Sequence, residues 1–183
     1  MEREITIAVL LGTVRTNRVS EKVARYVCEV GKNFPGVTVE LIDPRDLSFT
    51  DEGEEVKDQR YSRLTAHADA FIIVTPEYNH SFPGSLKRML DSEYTNYHHK
   101  PVALVGVSSG SWGGTRVCEA LLPVCHRLGM VNIHPELYFP NAQDLFTGDG
   151  VLKPEHIERY TDGINKIYAE LTWFTKKLMT QDT

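Results

Sequence analysis

Five apolar residues in a row, Ala70-Phe71-Ile72-Ile73-Val74, limit the folds open to this chain more than any other stretch. A run without polar alternation suits a strand buried on both faces, as in a parallel sheet covered by helices on either side. At Pro76 the pattern breaks into Glu77, Tyr78, Asn79 and His80, too polar and irregular to continue a strand. A helix is predicted next, over residues 82–92, with Ser81 as N-cap and Pro83 in the first turn, where amide groups lack intrahelical partners anyway. Residues 76–79 then lie at the carboxyl end of a central strand, where open α/β sheets hold their ligands. The expectation is a flat ligand held against that edge.

The same alternation of strand and helix runs through the whole chain, with no linker, internal repeat or low-complexity block. Strands are predicted at residues 4–11, 37–42, 70–75, 101–107 and 131–139, the last interrupted by Pro135 and so suited to an edge or a bulge. Helices are predicted at 20–31, 54–68, 82–92 and 115–128, with a long last one opened by Pro154. Gly31 and Gly129 act as stop signals, and Pro123 should bend its helix. The acidic stretch 51–55 reads as a solvated loop. In the last helix Ile157, Tyr160, Ile164, Ile167, Leu171, Phe174 and Leu178 form a stripe better suited to core packing than to a coiled coil. Consecutive βα units with right-handed crossovers give an α/β three-layer sandwich. Five strands in a short chain favour the flavodoxin-like order 2-1-3-4-5 over the dinucleotide-binding one.

At 183 residues, 41% hydrophobic and 25% charged, the chain fits one domain spanning 1–183. A net charge of −5 argues against nucleic acid as a partner, while leaving room for small anions bound by local arginines. The amino-terminal MEREITIAVLLG reads as a first strand and not a signal peptide, and no apolar run approaches a membrane span. Cys28, Cys118 and Cys125 have no paired-ligand spacing and read as buried reduced thiols in a cytoplasmic setting. His98-His99 lacks nearby ligand partners, so no metal site is expected.

The loops after strands one, three and four meet at one sheet edge, and they break pattern most sharply. The first, Gly12 to Ser20, enters a helix N-terminus that favours an anion, with hydroxyls at Thr13, Thr16 and Ser20 and a guanidinium at Arg15. It is neither GxGxxG nor a Walker loop. Asp43, ending strand two, fits either a ribose contact or a plain Asp-Pro stop. The second loop, Pro76-Glu77-Tyr78-Asn79, can offer a backbone edge to a heteroaromatic ring. The third, Ser108 to Gly114, is rich in glycine and serine, and its amides can face a ring oxygen or developing negative charge. Trp112 there is either a hydrophobic cover or a pocket wall.

These motifs together, Gly12-Thr13-Val14-Arg15 with Arg18, Pro76-Glu77-Tyr78-Asn79 continuing through Pro83-Gly84-Ser85-Leu86-Lys87, and Ser109-Gly110 with Gly113-Gly114, resemble the NADPH-dependent FMN reductase family. That family includes quinone, chromate and some azo reductases of flavodoxin-like fold. The resemblance implies that Thr13, Arg15, Arg18 and Ser20 surround the FMN phosphate. It implies that Pro76, Glu77, Tyr78 and Asn79 line the isoalloxazine, with Ser108, Ser109, Gly110 and Gly113 at its other edge. Many members carry serine where Arg18 stands, and asparagine where Ser20 stands; this chain resembles the branch with two arginines in the loop. Asn17 sits where that branch often has glycine.

The resemblance further implies a two-step cycle in which NADPH or NADH gives a hydride to FMN, leaves, and is replaced by a small-molecule acceptor such as a quinone, flavin, azo dye or metal oxyanion. FMN carries this chemistry, so no catalytic side chain and no metal are expected. A homodimer or homotetramer is implied, with the segment from Tyr94 to His99 near a neighbour's site. An FMN electron carrier that takes electrons from a protein, and a flavin-free sensor or scaffold, are the competing readings. Arg15 and Arg18 weigh against the carrier, whose phosphate loop commonly uses hydroxyls alone.

Overall fold

Leu11 stands opposite Val74, and Val74 opposite Val105, in neighbouring parallel strands of the computed structural model, which describes residues 3–48, 57–134 and 136–179. The strands are β1 (Ile5–Leu11), β2 (Val37–Ile42), β3 (Ala70–Pro76), β4 (Pro101–Val107), β5 (Val131–Asn132) and β6 (Leu137–Phe139). The helices are α1 (Val19–Lys32), α2 (Gln59–His67), α3 (Gly84–Asp91), α4 (Thr115–Arg127) and α5 (Pro154–Met179). The sheet order is β2-β1-β3-β4-β5, all parallel, so the flavodoxin-like order read from the sequence holds.

The strand period of two divides the core between the faces. Ile7, Val9, Leu11, Ile72, Val74, Ala103 and Val105 pack with Val23, Val27, Ile164, Ile167 and Leu171 of α1 and α5. Ala8, Leu10, Phe71, Ile73, Val102 and Leu104 pack with Leu86, Met89, Val117, Leu121 and Cys125 of α3 and α4. The apolar run in β3 is buried throughout because it feeds both cores.

Several local expectations are corrected. The fifth sheet position is filled in two pieces: β5 pairs with the start of β4 through Pro101–Val131, and β6 with its end through Val107–Phe139. Pro135, the expected interruption, lies outside the described residues, as do residues 51–56 with the acidic stretch and the expected start of the second helix. That helix begins at Gln59, because the Asp58 carboxylate caps it by accepting from the Tyr61 amide at 2.8 Å. Ser81 is not the cap of α3: Pro83 occupies that position, and Ser81 is drawn into a backbone pair with Tyr78. Pro76, expected to break the strand, still pairs with Val107.

Gly31 does not stop α1, which continues through Lys32; its lack of a side chain serves packing. A Cβ there would lie 2.2 Å from the Tyr168 hydroxyl, which donates to the Val27 carbonyl at 3.0 Å and holds α5 against α1. In α5, Tyr160, Ile164, Ile167 and Leu171 are buried, whereas Ile157 is exposed. Cys28, Cys118 and Cys125 are buried free thiols, and burial raises their pKa values, to about 12 for Cys28 and Cys125. They stay protonated and unreactive near neutral pH. Tyr97, in a short 3-10 turn, is fully buried: its ring meets Phe71 and its hydroxyl bonds that of Tyr61 at 2.6 Å. Tyr94 and His99, in the same segment, are exposed.

Candidate functional site

The first loop is built on an internal strut. Arg18, expected to face a ligand phosphate, is 8% exposed, and its guanidinium is turned into the protein. It donates to the Thr13 carbonyl, to Glu21 at 3.1 Å and to Asp43. Asp43 also accepts from the Arg45 amide at 2.9 Å, and the Arg45 guanidinium bonds the Val14 carbonyl at 3.0 Å and that of Arg15. The end of β2 thus braces the loop after β1, a role that sequence reasoning gave to neither Asp43 nor Arg45. Its signal was present in the strand order, which sets β2 beside β1. Asn17 adopts φ 54, the left-handed conformation that glycine favours and asparagine tolerates, so the turn keeps its shape without glycine.

Arg15 is used differently. It is exposed, its guanidinium carbon lies 4.2 Å from the centroid of the Tyr78 ring, and it makes no ion pair among the described residues. The Thr13 hydroxyl meets the Tyr78 hydroxyl at 2.8 Å, tying the first loop to the second. Ser20, in the first turn of α1, is 2% exposed, and its Oγ has no partner among the described residues. No side chain caps the start of α1. A buried orphan hydroxyl beside uncapped helix amides is the donor set of an anion site.

The second loop is a two-residue turn. Tyr78 and Ser81 exchange backbone hydrogen bonds of 2.8 and 3.0 Å, and Asn79 and His80 both have positive φ, at 51 and 65. This is the I′ geometry, which suits Asn but is less natural for His. The turn leaves Asn79 and His80 exposed at its tip. Glu77 is held from behind by its amide, which donates to the Val107 carbonyl at 3.0 Å. Its Oε2 is buried without a partner.

The third loop is folded back by its glycines. Gly114 sits at φ 90, and a Cβ there would come within 2.6 Å of the Val107 nitrogen. The loop is braced by the segment after β6. The Asn141 amide donates to the Gly110 carbonyl, and the Ala142 amide to that of Ser108, both at 3.0 Å. The Ser109 and Gly110 amides meet no acceptor among the described residues and stay available to a ligand.

The three loops enclose a cavity of about 390 Å³. Of the residues singled out by sequence, Thr13, Arg15, Arg18, Ser20, Pro76, Glu77, Tyr78, Ser108 and Ser109 line it. Asn79 and Gly110 are exposed outside the lining, and Gly113 is buried against Tyr138 and Pro140. Sequence reasoning missed Ala142 and Gln143, which complete the wall. They arrive because the last strand, paired along the end of β4, also ends at this edge. A larger open groove of about 1080 Å³ adjoins it between α1 and the start of α5, but it takes in no residue of the second or third loop. The smaller cavity is therefore the one that the three loops build. No metal-ligand grouping of His, Cys, Asp or Glu occurs, and no helix is long and apolar enough to cross a membrane, among the described residues.

Comparison with known proteins agrees with this geometry. The family model for NADPH-dependent FMN reductase matches residues 5–144, which contain all three loops. An NAD(P)H-dependent FMN reductase of Schizosaccharomyces pombe is 36% identical over 136 residues, 68% of this chain and 67% of that one. A quinone reductase of Pseudomonas putida is 31% identical over 163 residues, 83% of this chain and 87% of that one. Among solved structures, the flavoenzyme NAD(P)H:(acceptor) oxidoreductase FerB of Paracoccus denitrificans superposes with a TM-score of 0.76 at 24% identity, covering 94% of this chain and 98% of that one, a likeness of fold. The chain belongs to the NADPH-dependent FMN reductase family.

Proposed function

We propose that this protein, acting as one domain, oxidises NADPH or NADH and reduces a quinone or a related small acceptor, with FMN held in the three-loop cavity. The net reaction is quinone + NAD(P)H + H⁺ → hydroquinone + NAD(P)⁺. When bound, FMN would supply the two-electron redox chemistry that links the nicotinamide to the acceptor. The observation that carries the reading is the polarity of the cavity. Anion donors, Ser20 Oγ and the uncapped start of α1, belong to the first loop, and open amides with an orphan carboxylate oxygen, on Ser109, Gly110 and Glu77, belong to the other two.

Each group has a defined task. The Ser20 hydroxyl and the first amides of α1 bind a phosphate, and Arg15 adds a charge-assisted bond. Arg18 holds the loop that presents them. The Ser109 and Gly110 amides donate to the ring edge and oppose negative charge that develops there. Glu77 Oε2, buried without a partner among the described residues, would accept a hydrogen bond from the ring. Tyr78 and the Val107 end of β4 flank the ring and limit water. The working form is proposed to be a cytoplasmic homodimer or homotetramer, and three buried unpaired thiols fit a reducing compartment.

Because one acceptor site serves both half-reactions, the kinetics should be ping-pong. Steady-state rates measured across NADPH and benzoquinone concentrations are expected to give parallel double-reciprocal lines. Intersecting lines would contradict the shared site. Retained FMN with no turnover of either nicotinamide would favour an electron carrier.

A further inference from the structure

Arg116, in the first turn of α4, stands beside the cavity and gathers groups from two of its loops. Its Nη1 bonds His80 Nε2 at 3.1 Å and lies 3.7 Å from Glu77 Oε1, and its guanidinium carbon is 5.3 Å from the centroid of the Trp112 ring. Glu77 lines the cavity, so this cation is one side chain away from anything bound there. At 3.7 Å the Glu77 contact orients the guanidinium without a hydrogen bond. Arginine has about five N–H donors, and the bond to His80 uses one of them, the only one used among the described residues.

Trp112 is 64% exposed, more than any other large hydrophobic residue described. The Arg116 side chain is 44% exposed. Neither contributes to the core, and neither is needed for the phosphate end of the cavity, which Ser20 and Arg15 serve. An open indole face beside a guanidinium with donors to spare suits a ligand that carries a flat heteroaromatic base and a phosphate.

We propose that Arg116 and Trp112 dock the adenosine end of the nicotinamide dinucleotide at the cavity rim, Arg116 taking a phosphate and Trp112 the base. The proposal rests on the hydride-transfer reading above. His80 and Glu77 act as positioning residues: the His80 ring Nε2 accepts from Nη1, and the Glu77 carboxylate holds the guanidinium toward the rim. The phosphate is either the pyrophosphate shared by both nicotinamides or the 2′-phosphate of NADPH.

The test is steady-state kinetics of the FMN-loaded enzyme with each nicotinamide. Arg116→Ala should raise the KM for NADPH about tenfold or more, with kcat and FMN affinity unchanged, and Arg116→Lys should recover part of the loss. Trp112→Ala, at a position 64% exposed, should raise it roughly threefold to tenfold. A rise for NADPH alone assigns the 2′-phosphate, and an equal rise for NADH assigns the pyrophosphate. Unchanged KM values in both variants overturn the proposal, as does a weakened FMN affinity or an altered oligomeric state in place of a KM change. Wild-type enzyme that oxidises neither nicotinamide would overturn the functional reading itself, before any variant is made.

Discussion

Arg15 and Arg18 belong to one loop and answer to different surroundings. Arg18 is buried against Asp43, Glu21 and the Thr13 carbonyl, so Arg18→Ala would strand a carboxylate and a carbonyl and should cost about 3 kcal/mol of stability. Arg15→Ala should change stability by no more than about 0.5 kcal/mol while weakening FMN binding about tenfold. Urea unfolding and flavin fluorescence titration of both variants check this; equal effects on both readouts would contradict the division of labour. Ser20→Ala removes a buried hydroxyl that has no partner in the ligand-free protein. It should leave stability intact and weaken FMN binding by about 1 kcal/mol, roughly fivefold. A loss of stability without a loss of affinity would place that hydroxyl in the fold instead of the site. The arginines also mark a limit of sequence reading. Both were legible as cations near an anion site, but which of them turns inward depends on Asp43, supplied by a different strand.

At the scale of elements, α1 depends on what it meets at each end. Near its C-terminus it approaches α5 so closely that Gly31→Ala would place a methyl against the Tyr168 ring. Overpacking of that kind should cost about 1–3 kcal/mol in thermal or urea unfolding. A neutral substitution would show that the two helices can separate. At its start, a hydrogen bond from Arg25, with another from Arg18, holds the Glu21 carboxyl below its ordinary value of 4.5 against the opposing effect of burial. A carboxyl depressed in the folded state adds stability above its unfolded pKa and loses it as pH falls through the lower folded value. Glu21→Gln should therefore reduce stability at neutral pH and make the decline below pH 4.5 shallower than in the wild type. Parallel urea midpoints for the two proteins across that range would contradict the assignment. The strands were legible because uninterrupted apolar runs admit few other environments. Gly31 was not, because a helix stop and a close helix contact leave the same letter in the sequence. Ser81 failed as a cap for a similar reason: the pairing with Tyr78 needs the left-handed pair Asn79-His80, and only asparagine advertises that conformation.

For the whole molecule, the strand order is what makes a site out of distant segments. β1, β3 and β4 lie side by side, so their following loops share one edge, and the return after β6 closes the wall with Ala142 and Gln143. The sheet order and three of the four contributing segments could be read from the chain. The fourth could not, because the last sheet position is split between β5 and β6 and neither piece carries a recognisable ligand motif. The central claim is that this edge holds FMN where a nicotinamide can reduce it. The most direct measurement is the visible spectrum of the purified protein loaded with FMN, followed under anaerobic conditions as NADPH is added. The expected result is flavin absorption that bleaches with one equivalent of NADPH or NADH and returns on addition of a quinone. Failure to bind FMN, or bound FMN that neither nicotinamide bleaches, would contradict the account.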